Sequence, residues 1–300
     1  MKMLVTGGAG FIGSHLVDRL LSEGHKVTVI DDFSEGKWVN LPVGNTNLTV
    51  NELSILDNIN FAFEGVDTVF HLAAKTRPQE SILKPELYNE VNINGTLNVL
   101  NACMENKVRR VVFVSSSSVY GNQEIIPTDE TAPDMSMSPY ALTKLVGEQY
   151  CKLYERLYGL EANYIRPFNV FGKRQNPNVS YASAVSKFIS MLRNDETPYI
   201  TGDGKQKRDF VHVDNVINVI IKASETSIFG EVFNAGSEEN ISVNNLYKTI
   251  RKLMRKDTKP NYVAELFEPK VTLADMTKAK KLLKWKLKVG LEEGLRRTIW

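Results

Sequence analysis

Cysteine is scarce in this chain: its 300 residues include two, Cys103 and Cys151, and no CxxC pair. This count excludes a disulfide-stapled scaffold. The four histidines show no metal-ligand spacing either, so we predict no metal site. We expect His71 and His212 to be hydrogen-bonded core residues. We also expect both thiols to be free and buried, in the reducing environment of the cytoplasm.

An excess of charge and a long apolar run are also absent. The chain carries 37 Lys and Arg against 35 Asp and Glu, a net charge of +2. Such a balance does not point to a nucleic acid or an anionic membrane as partner. No apolar run approaches the roughly 18 residues of a membrane span. A glycine turn follows the first strand so early that we expect no signal peptide.

Short β-branched runs alternate with amphipathic stretches through the first half of the chain. Continuous apolar strands between helices predict an α/β fold with a doubly wound parallel sheet of the Rossmann type, covered on both faces. In such sheets ligands bind at the carboxyl ends of the strands. The pattern predicts strands at 4–6, 26–30, 67–70, 110–114 and 162–165, and helices at 13–22, 81–105 and 137–158.

The rhythm changes after Asn169. The sequence predicts an irregular loop, a helix, and then two strands that return to the sheet, followed by a helical, lysine-rich tail. We therefore expect a smaller C-terminal lobe beside the main domain. The loop is predicted at 172–181, the helix at 182–193, the strands at 210–213 and 232–234, and the tail from 240. The main domain is assigned to 1–168 with 210–237, and the lobe to 169–209 and 238–300.

The segment from Thr6 to Gly13, TGGAGFIG, follows a predicted strand and opens a helix. Its glycines fit both GxGxxG and GxxGxxG. A turn without Cβ atoms lets backbone N–H groups and a helix N-terminus approach a pyrophosphate. Asp31, at the end of the second strand, stands 18 residues after Gly13. A carboxylate there holds both ribose hydroxyls and repels a 2′-phosphate, so the sequence predicts NAD rather than NADP.

Tyr140 and Lys144 lie four residues apart in SPYALTK, which places them on one face of a helix. The pKa of a tyrosine hydroxyl is about 10 in water, and a nearby ammonium or nicotinamide cation favours the phenolate. The serines at 115–118 end the preceding strand at the edge where a cofactor would lie. The sequence therefore predicts Tyr140 as a general base whose pKa is lowered towards neutrality.

Six segments in register now carry a resemblance to a known family: GGAGFIG, Asp31, HLAA, SSSSVYG, SPYALTK and RPFNVFG. Together they resemble the extended short-chain dehydrogenase/reductases, and more narrowly the NAD-dependent nucleotide-sugar 4-epimerases. The resemblance covers nearly the whole chain. It implies a UDP-sugar as substrate and a lobe that binds it. It also implies a homodimer held by a four-helix bundle of the helices at 81–105 and 137–158.

The resemblance implies three sets of site residues. The catalytic set is Ser116, Tyr140 and Lys144. The cofactor set is Gly7, Gly10, Phe11, Ile12, Gly13, Asp31, Asp32, Ser34, Ile55, Leu72, Ala73, Ala74, Asn92, Tyr140, Lys144 and Phe168. The substrate set is Ser116, Tyr140, Asn169, Asn178, Arg208, Glu268, Lys270 and Thr272.

Ser117 and Ser118 narrow the implied reaction. The family's dehydratases carry an Asp–Glu pair at these positions, and its decarboxylases carry a Glu at the second. Elimination and decarboxylation need that extra acid or base, whereas a serine pair suits oxidation and re-reduction at one carbon. In the implied mechanism Ser116 hydrogen-bonds the sugar 4′-oxygen and Tyr140 removes its proton. Hydride passes to NAD and returns to the opposite face of the sugar.

Thr272 aligns with the position that gates the sugar pocket in this family. A tyrosine there excludes a 2-acetamido group, and a small residue leaves room for it. The resemblance therefore favours the pair UDP-N-acetylglucosamine/UDP-N-acetylgalactosamine, with UDP-glucose/UDP-galactose also open. A UDP-glucuronate 4-epimerase, a 4-ketoreductase and a non-catalytic NAD-binding redox sensor are the alternatives.

Two departures from the family pattern affect the expected ligand contacts. The usual Arg-x-Gly-Asp segment before the gate is replaced by residues 265–268, ELFE. Glu268 keeps the carboxylate, but the arginine is missing, and Lys270 is the expected substitute, without bidentate geometry. Ser54 stands where an adenine-binding aspartate is usual, which leaves Ile55 as the neighbouring contact.

Overall fold

The computed structural model describes residues 1–178 and 182–300. Within these ranges the strands form one large sheet and two small ones. The strands are β1 (Lys2–Thr6), β2 (Lys26–Asp31), β3 (Leu48–Glu52), β4 (Thr68–His71), β5 (Arg110–Val114), β6 (Glu161–Pro167), β7 (Asn169–Phe171), β8 (Tyr199–Thr201), β9 (Lys207–His212), β10 (Val232–Ala235), β11 (Asn240–Ser242) and β12 (Asn261–Val263).

Ten α-helices accompany these strands in the described ranges. A π-helical turn at Glu90–Asn94 precedes α4, and short 3₁₀ turns lie at Trp38–Asn40, Asn60–Phe63 and Ser117–Tyr120. The α-helices are α1 (Phe11–Ser22), α2 (Pro78–Leu83), α3 (Pro85–Asn89), α4 (Gly95–Glu105), α5 (Pro139–Tyr158), α6 (Ala184–Arg193), α7 (Val213–Glu225), α8 (Val243–Leu253), α9 (Thr277–Leu283) and α10 (Leu291–Ile299).

The large sheet has seven parallel strands in the order β10-β6-β5-β4-β1-β2-β3. Every residue of β4 and β5 is buried. Leu4 and Val5 point to opposite faces, as successive strand residues do, and each enters a different core cluster. Helices α1 and α7 cover one face, and α4 and α5 cover the other. The predicted doubly wound parallel sheet is confirmed.

The order of the strands places the site. The chain runs outward from β1 through β2 and β3, and then resumes on the other side of β1 at β4. Such a switch point opens a crevice at the carboxyl ends of the two central strands, where α/β proteins bind their ligands. Both the glycine turn after β1 and the loop after β4 lie at this crevice.

The prediction of one continuous helix at 81–105 is wrong. The structure divides this stretch into α2, α3, the π-helical turn and α4. Pro85 causes the first break, because proline lacks an N–H group and its ring disfavours a helical residue before it. Helix α2 therefore ends at Leu83, and α3 starts afresh at Pro85.

The lobe contains the two small sheets. β9 pairs with β7 and β11, and β8 pairs with β12. The prediction that residues 210–213 return to the large sheet is therefore wrong, since β9 finds its partners within the lobe. The chain returns instead through α7, which starts at Val213, and through β10 beside β6. The tail after 240, predicted as helical, also contains β11 and β12. The rest of the domain division stays a prediction.

Both cysteines lie in the core cluster beneath α4 and α5. Cys103 and Cys151 are free and buried, as predicted. Burial raises the pKa of both thiols, because a thiolate is poorly stabilised among apolar side chains. A search of the described residues finds no helix long and apolar enough to cross a bilayer.

Candidate active site

A cavity of about 1110 Å³ lies at the carboxyl ends of the central strands. Its lining combines the glycine turn, the loops after β2 and β4, and the serine segment after β5 with residues of the lobe. The large sheet thus supplies one wall and the lobe the other. A cavity of this size is in the range that encloses a cofactor or a substrate.

The glycine turn leaves no room for side chains. Gly7 has a φ of +71°, and a Cβ there would lie 2.7 Å from the backbone nitrogen of Ala73. A Cβ on Gly13 would lie 2.1 Å from the carbonyl oxygen of Gly7. Helix α1 starts at Phe11 without a side-chain cap on its first N–H groups. Those free donors and the helix dipole suit a pyrophosphate, so this turn fits a dinucleotide.

Two carboxylates lie at the cavity wall, Asp31 as the last residue of β2 and Asp32 directly after it. Asp31 accepts hydrogen bonds from the backbone N–H groups of Ala9 and Phe33, each at 2.9 Å. Burial raises the pKa of Asp31, and these N–H donors oppose the rise. The two bonds fix the orientation of the carboxylate. Asp32 accepts from the hydroxyl of Ser34 at 2.7 Å.

Two bridges, missed in the sequence, connect the loop after β2 with the loop after β4. The Lys75 ammonium donates to the Ser34 hydroxyl at 3.0 Å, and Arg77 pairs with Glu35. Arg77 also pairs with Glu80 in its own segment at 3.2 Å. All except Glu80 line the cavity. The two loops stand on either side of the glycine turn, so the bridges span the groove that would hold the cofactor.

Most of the predicted cofactor residues line the cavity, but Asn92 does not. Its side chain bonds the backbone of Lys75 and the hydroxyl of Thr143. Asn92 therefore ties the loop after β4 to α5 rather than facing a ligand. The residues that do line the cavity are Gly7, Gly10, Phe11, Ile12, Gly13, Asp31, Asp32, Ser34, Ile55, Leu72, Ala73, Ala74, Tyr140, Lys144 and Phe168.

The three predicted catalytic residues come together at the cavity. Helix α5 starts at Pro139 because the Ser138 hydroxyl caps the N–H group of Ala141 at 3.2 Å. This start sets Tyr140 in the first turn and Lys144 one turn later. Ser116 lies at the end of β5 on the facing wall, and its hydroxyl accepts from the backbone of the 3₁₀ turn.

The direction of the pKa shift at Tyr140 differs from the prediction. Burial raises the pKa of Tyr140, and a hydrogen bond with Ser116 opposes the rise. The hydroxyl is buried, and in this structure burial has a larger effect than that hydrogen bond, so the direction is opposite to the predicted one. Burial also lowers the pKa of Lys144 to about 8. Its ammonium lies 4.8 Å from the ring centroid of Phe113.

Four of the substrate residues predicted in the lobe line the cavity. Arg208 pairs with Glu268 at 3.0 Å. The Asn169 amide donates to the backbone oxygen of Asp209 at 3.0 Å and to the Thr272 hydroxyl at 3.3 Å. These bonds join β7, β9 and the segment before α9 into one wall. The four are Asn169, Arg208, Glu268 and Thr272.

Lys270 and Asn178 lie elsewhere. Both side chains are exposed, and neither lines the cavity. Lys270 uses its backbone oxygen to accept from Arg208, and its side chain extends into solvent. The structure therefore gives no support to the substitution of Lys270 for the missing arginine, which stays a prediction.

Two further cations line the cavity: Lys187, which the sequence analysis missed, and Arg174. Lys187 is on α6, and its ammonium lies 3.1 Å from the ring centroid of Tyr199. Within residues 1–178 and 182–300 it pairs with no carboxylate. Arg174 pairs with Asp18 at 2.7 Å. The one signal in the sequence was the position of Lys187, which lies one helical turn after Ser183, the residue that caps the start of α6.

The two strand-end histidines are core residues, as predicted. His71 lies between the hydroxyls of Thr6 at 2.7 Å and Thr96 at 2.9 Å. Burial lowers the pKa of His71 to about 3, so its ring is neutral. His212 is buried and accepts from the backbone N–H of Asp214 at the start of α7.

Fold and cavity together define a dinucleotide-dependent enzyme of the short-chain dehydrogenase/reductase class, with a tyrosine and a lysine one helical turn apart beside the groove. The chain belongs to the NAD dependent epimerase/dehydratase family, whose match spans residues 3–236. The resemblance seen in the sequence is thereby confirmed, and NAD is confirmed as the cofactor.

Several relatives and solved structures of high similarity are named as epimerases of UDP-sugars. UDP-glucose 4-epimerase of Mycolicibacterium smegmatis is 36% identical, over 100% of this chain and 97% of that protein. UDP-glucose 4-epimerase of Thermotoga maritima, solved with UDP-glucose, has a TM-score of 0.95 and 38% identity, with 100% and 97% of the chains covered. UDP-N-acetylglucosamine 4-epimerase of Methanobrevibacter ruminantium, in complex with UDP-N-acetylmuramic acid, has a TM-score of 0.96 and 37% identity, with 99% and 96% covered. Decarboxylases also occur among the relatives.

Proposed function

We propose that this enzyme inverts the configuration at C4′ of a UDP-hexose. The serine segment beside Tyr140 carries the proposal. Ser117 and Ser118 line the cavity, at the positions where carboxylates would serve elimination or decarboxylation. Hydroxyl groups cannot replace an acid–base carboxylate, whereas oxidation and re-reduction at one carbon need only a single acid–base group.

Tyr140 is the proposed acid–base group. Its hydroxyl, beside Ser116, takes the proton of the 4′-hydroxyl as the carbon becomes a ketone, and returns it afterwards. Ser116 holds the sugar oxygen in both directions. The ammonium of Lys144 favours the phenolate form of Tyr140. The glycine turn and Asp31 would hold NAD, which would supply the hydride acceptor and donor for C4′.

The lobe is proposed to hold the diphosphate rather than the hexose. Arg208 has a planar fork that suits phosphate oxygens, and Lys187 adds a second positive charge to the same cavity. Lys187 thus takes the place of the arginine missing at Glu265. A firm hold on the diphosphate leaves the sugar free to turn, which is what presenting both faces of C4′ requires.

Thr272 supports an N-acetylated sugar. Its side chain is short and is fixed by the amide of Asn169, so the wall here is recessed. We propose UDP-N-acetylglucosamine/UDP-N-acetylgalactosamine as the preferred pair, with UDP-glucose/UDP-galactose as further substrates.

Proton NMR tests the function. The purified protein is incubated with UDP-N-acetylglucosamine without added reductant, and we expect UDP-N-acetylgalactosamine to appear at a stable ratio. UDP-glucose and UDP-glucuronate form parallel arms. Inversion of UDP-glucuronate alone would show a uronate epimerase. Stoichiometric consumption of NADH in a separate arm that contains it would show a reductase, and no conversion in any arm would refute the proposal.

Tyr140→Phe is the variant for the same assay, with Tyr154→Phe as matched control. Both changes remove one hydroxyl from α5, but Tyr154 bonds Asn101 outside the cavity. We expect Tyr140→Phe to lower kcat by roughly 10²- to 10⁴-fold, because it deletes the acid–base group. Tyr154→Phe should retain activity, and equal loss in both variants would speak against the role of Tyr140.

A homodimer through α5 and the segment containing α2 to α4 is also proposed. Leu153 and Leu157 on α5 are exposed, with 60% of Leu157 accessible. Tyr150 and Tyr154, which lie on the same helix, pack partly against the core. Light scattering should give a dimer mass that Leu157→Glu reduces to that of a monomer, and a monomer in both would remove the proposal. The buried free thiols fit the cytoplasm as its compartment.

A further inference from the structure

We propose that Glu148 is a positioning residue that keeps Lys144 charged in a dry cleft, and that Arg166 holds the Glu148 carboxylate for this task. The proposal rests on the roles given above to Tyr140 and Lys144. The geometry points to it because a buried ion pair, Glu148 with Arg166, lies on the same face of α5 as Tyr140 and Lys144.

Helix α5 presents Tyr140, Lys144 and Glu148 at successive intervals of four residues, so they lie along one face. Glu148 is 0% exposed. Both of its carboxylate oxygens accept from Arg166, at 2.9 Å from Nε and at 2.7 Å from Nη2. A fully buried carboxylate with a bidentate partner has one fixed position.

Arg166 is itself held in place by further contacts. It lies on β6, and its Nη2 also pairs with Asp134 at 3.1 Å. Its guanidinium stacks on the Tyr120 ring, 4.6 Å from the centroid. The Tyr120 hydroxyl donates to Asn234 at 2.7 Å. Tyr120 ends the turn that starts after Ser116, so Arg166 connects the elements that carry all three catalytic residues.

The groups that face Lys144 explain why Glu148 matters. Burial lowers the pKa of Lys144 to about 8, and Glu148 is the largest influence that raises it. His71 from β4 is neutral, and Phe113 from β5 offers only its ring. Cys151, one turn beyond Glu148, is held as a neutral thiol by burial. Glu148 is therefore the carboxylate that opposes the loss of the Lys144 charge.

A purely structural role for the ion pair makes a different prediction. If Glu148 and Arg166 only hold the fold together, removing one partner lowers the amount of folded enzyme and leaves the pH dependence in place. If Glu148 sustains the charge of Lys144, its removal shifts ionisations. The pKa of Lys144 falls further, and the pKa of Tyr140 rises because a positive charge is lost nearby.

Three variants separate the two roles: Glu148→Gln, Arg166→Met and the double variant. The double variant removes both buried charges, so neither is left unpaired, and it should recover most of the thermal stability lost in Glu148→Gln. Arg166→Met leaves Glu148 with Lys144 and should not lower the pKa of Lys144. Glu155→Gln, the same change two turns further along α5, is the matched control.

Two readouts follow these variants across pH. The first is the ultraviolet absorbance of the Tyr140 phenolate, obtained by subtracting the Tyr140→Phe protein, with and without NAD. The second is the pH profile of kcat/KM. We expect Glu148→Gln and the double variant to raise the apparent pKa of Tyr140 by on the order of one pH unit. Their profile should narrow, as its acid limb moves to higher pH and its alkaline limb to lower pH.

The outcomes are exclusive. Shifted limbs and a shifted phenolate in both Glu148→Gln and the double variant support the proposal. A profile that is lowered without moving, or a double variant that recovers the pH profile along with its stability, overturns it. If the wild-type enzyme inverts no UDP-sugar, the proposed function fails, while the phenolate titration still decides the role of Glu148.

Discussion

The cofactor wall and the substrate wall of the cavity are built in different ways. The cofactor wall consists mainly of backbone groups, namely the glycine turn and the free N–H groups at the start of α1. Its carboxylate, Asp31, is held in place by two backbone donors. The substrate wall is made of side chains from β7, α6, β9 and the segment before α9. One wall rests on a continuous seven-stranded sheet, and the other on sheets of two and three short strands.

This difference separates tolerance from specificity. A backbone site is destroyed by any added atom, because the peptide groups themselves approach the ligand. A side-chain site can exchange one cation for another, as we propose for Lys187 and the arginine missing at 265. Enzymes that share the cofactor wall can therefore differ in the sugar that they accept.

The largest expected effect comes from adding one carbon atom to the cofactor wall. Gly13→Ala places a Cβ 2.1 Å from the carbonyl oxygen of Gly7, so the turn must deform. We expect loss of NAD from the purified protein, measured by its absorbance after denaturation. Gly290→Ala is the control, because a Cβ there meets nothing within 4 Å. Full NAD content in Gly13→Ala would remove the distinction between the two walls.

A change at the substrate wall should weaken binding without emptying the cofactor site. Arg208→Met deletes the proposed phosphate donor, and a hydrogen bond to a charged group contributes about 1.5–3 kcal/mol. We expect KM for the UDP-sugar to rise roughly 10- to 100-fold while NAD content stays unchanged. Arg193→Met, which removes an arginine bonded to the backbone of Ile299, should leave KM alone. An unchanged KM in Arg208→Met would contradict the assignment.

Specificity within the substrate wall is tested by Thr272→Tyr. The larger ring would fill the recess proposed for the 2-acetamido group. We expect kcat/KM for UDP-N-acetylglucosamine to fall roughly 10- to 200-fold relative to that for UDP-glucose. The ratio of the two rates in one protein preparation is its own control. Equal losses for both sugars would show that Thr272 does not act as the gate.

The smallest effect belongs to the bridge across the cofactor groove. Glu35→Gln removes the partner of Arg77 on the opposite loop, while Glu80→Gln removes its partner in the same segment. Glu35 is partly exposed, so the pair contributes at most about 1 kcal/mol. We expect NAD to dissociate at most about five times faster from Glu35→Gln in a chase experiment. An equal acceleration in Glu80→Gln would show that the bridge across the groove has no special part.

The sequence alone was sufficient for features that depend on neighbours along the chain. The glycine turn, Asp31 and the pair Tyr140 and Lys144 follow from spacing within one turn or one helix. The failures involve distant partners. Lys270 could not be placed, and Lys187 could not be found, without the path of the lobe. Likewise, β9 looked like a strand of the large sheet because its partners β7 and β11 lie 36 residues before and 28 residues after it, counted between their last and first residues.

The pKa of Tyr140 shows the same limit in energetic form. The sequence supplies the neighbouring cation but not the degree of enclosure, and burial here has the larger effect. Electrostatic shifts depend on all groups around a site, including Glu148 and Arg166, which are 18 residues apart in the chain. Such terms become accessible only once the packing is known.

Cys103 lies on α4 and Cys151 on α5, and the burial of both thiols has a practical consequence. Thiol reagents can reach these sulfur atoms only when the two helices separate from the sheet. The rate of alkylation therefore measures how often this half of the molecule opens, without any engineered label. A comparison of that rate with and without NAD would report whether a ligand at one edge of the sheet slows the separation of α4 and α5 from it.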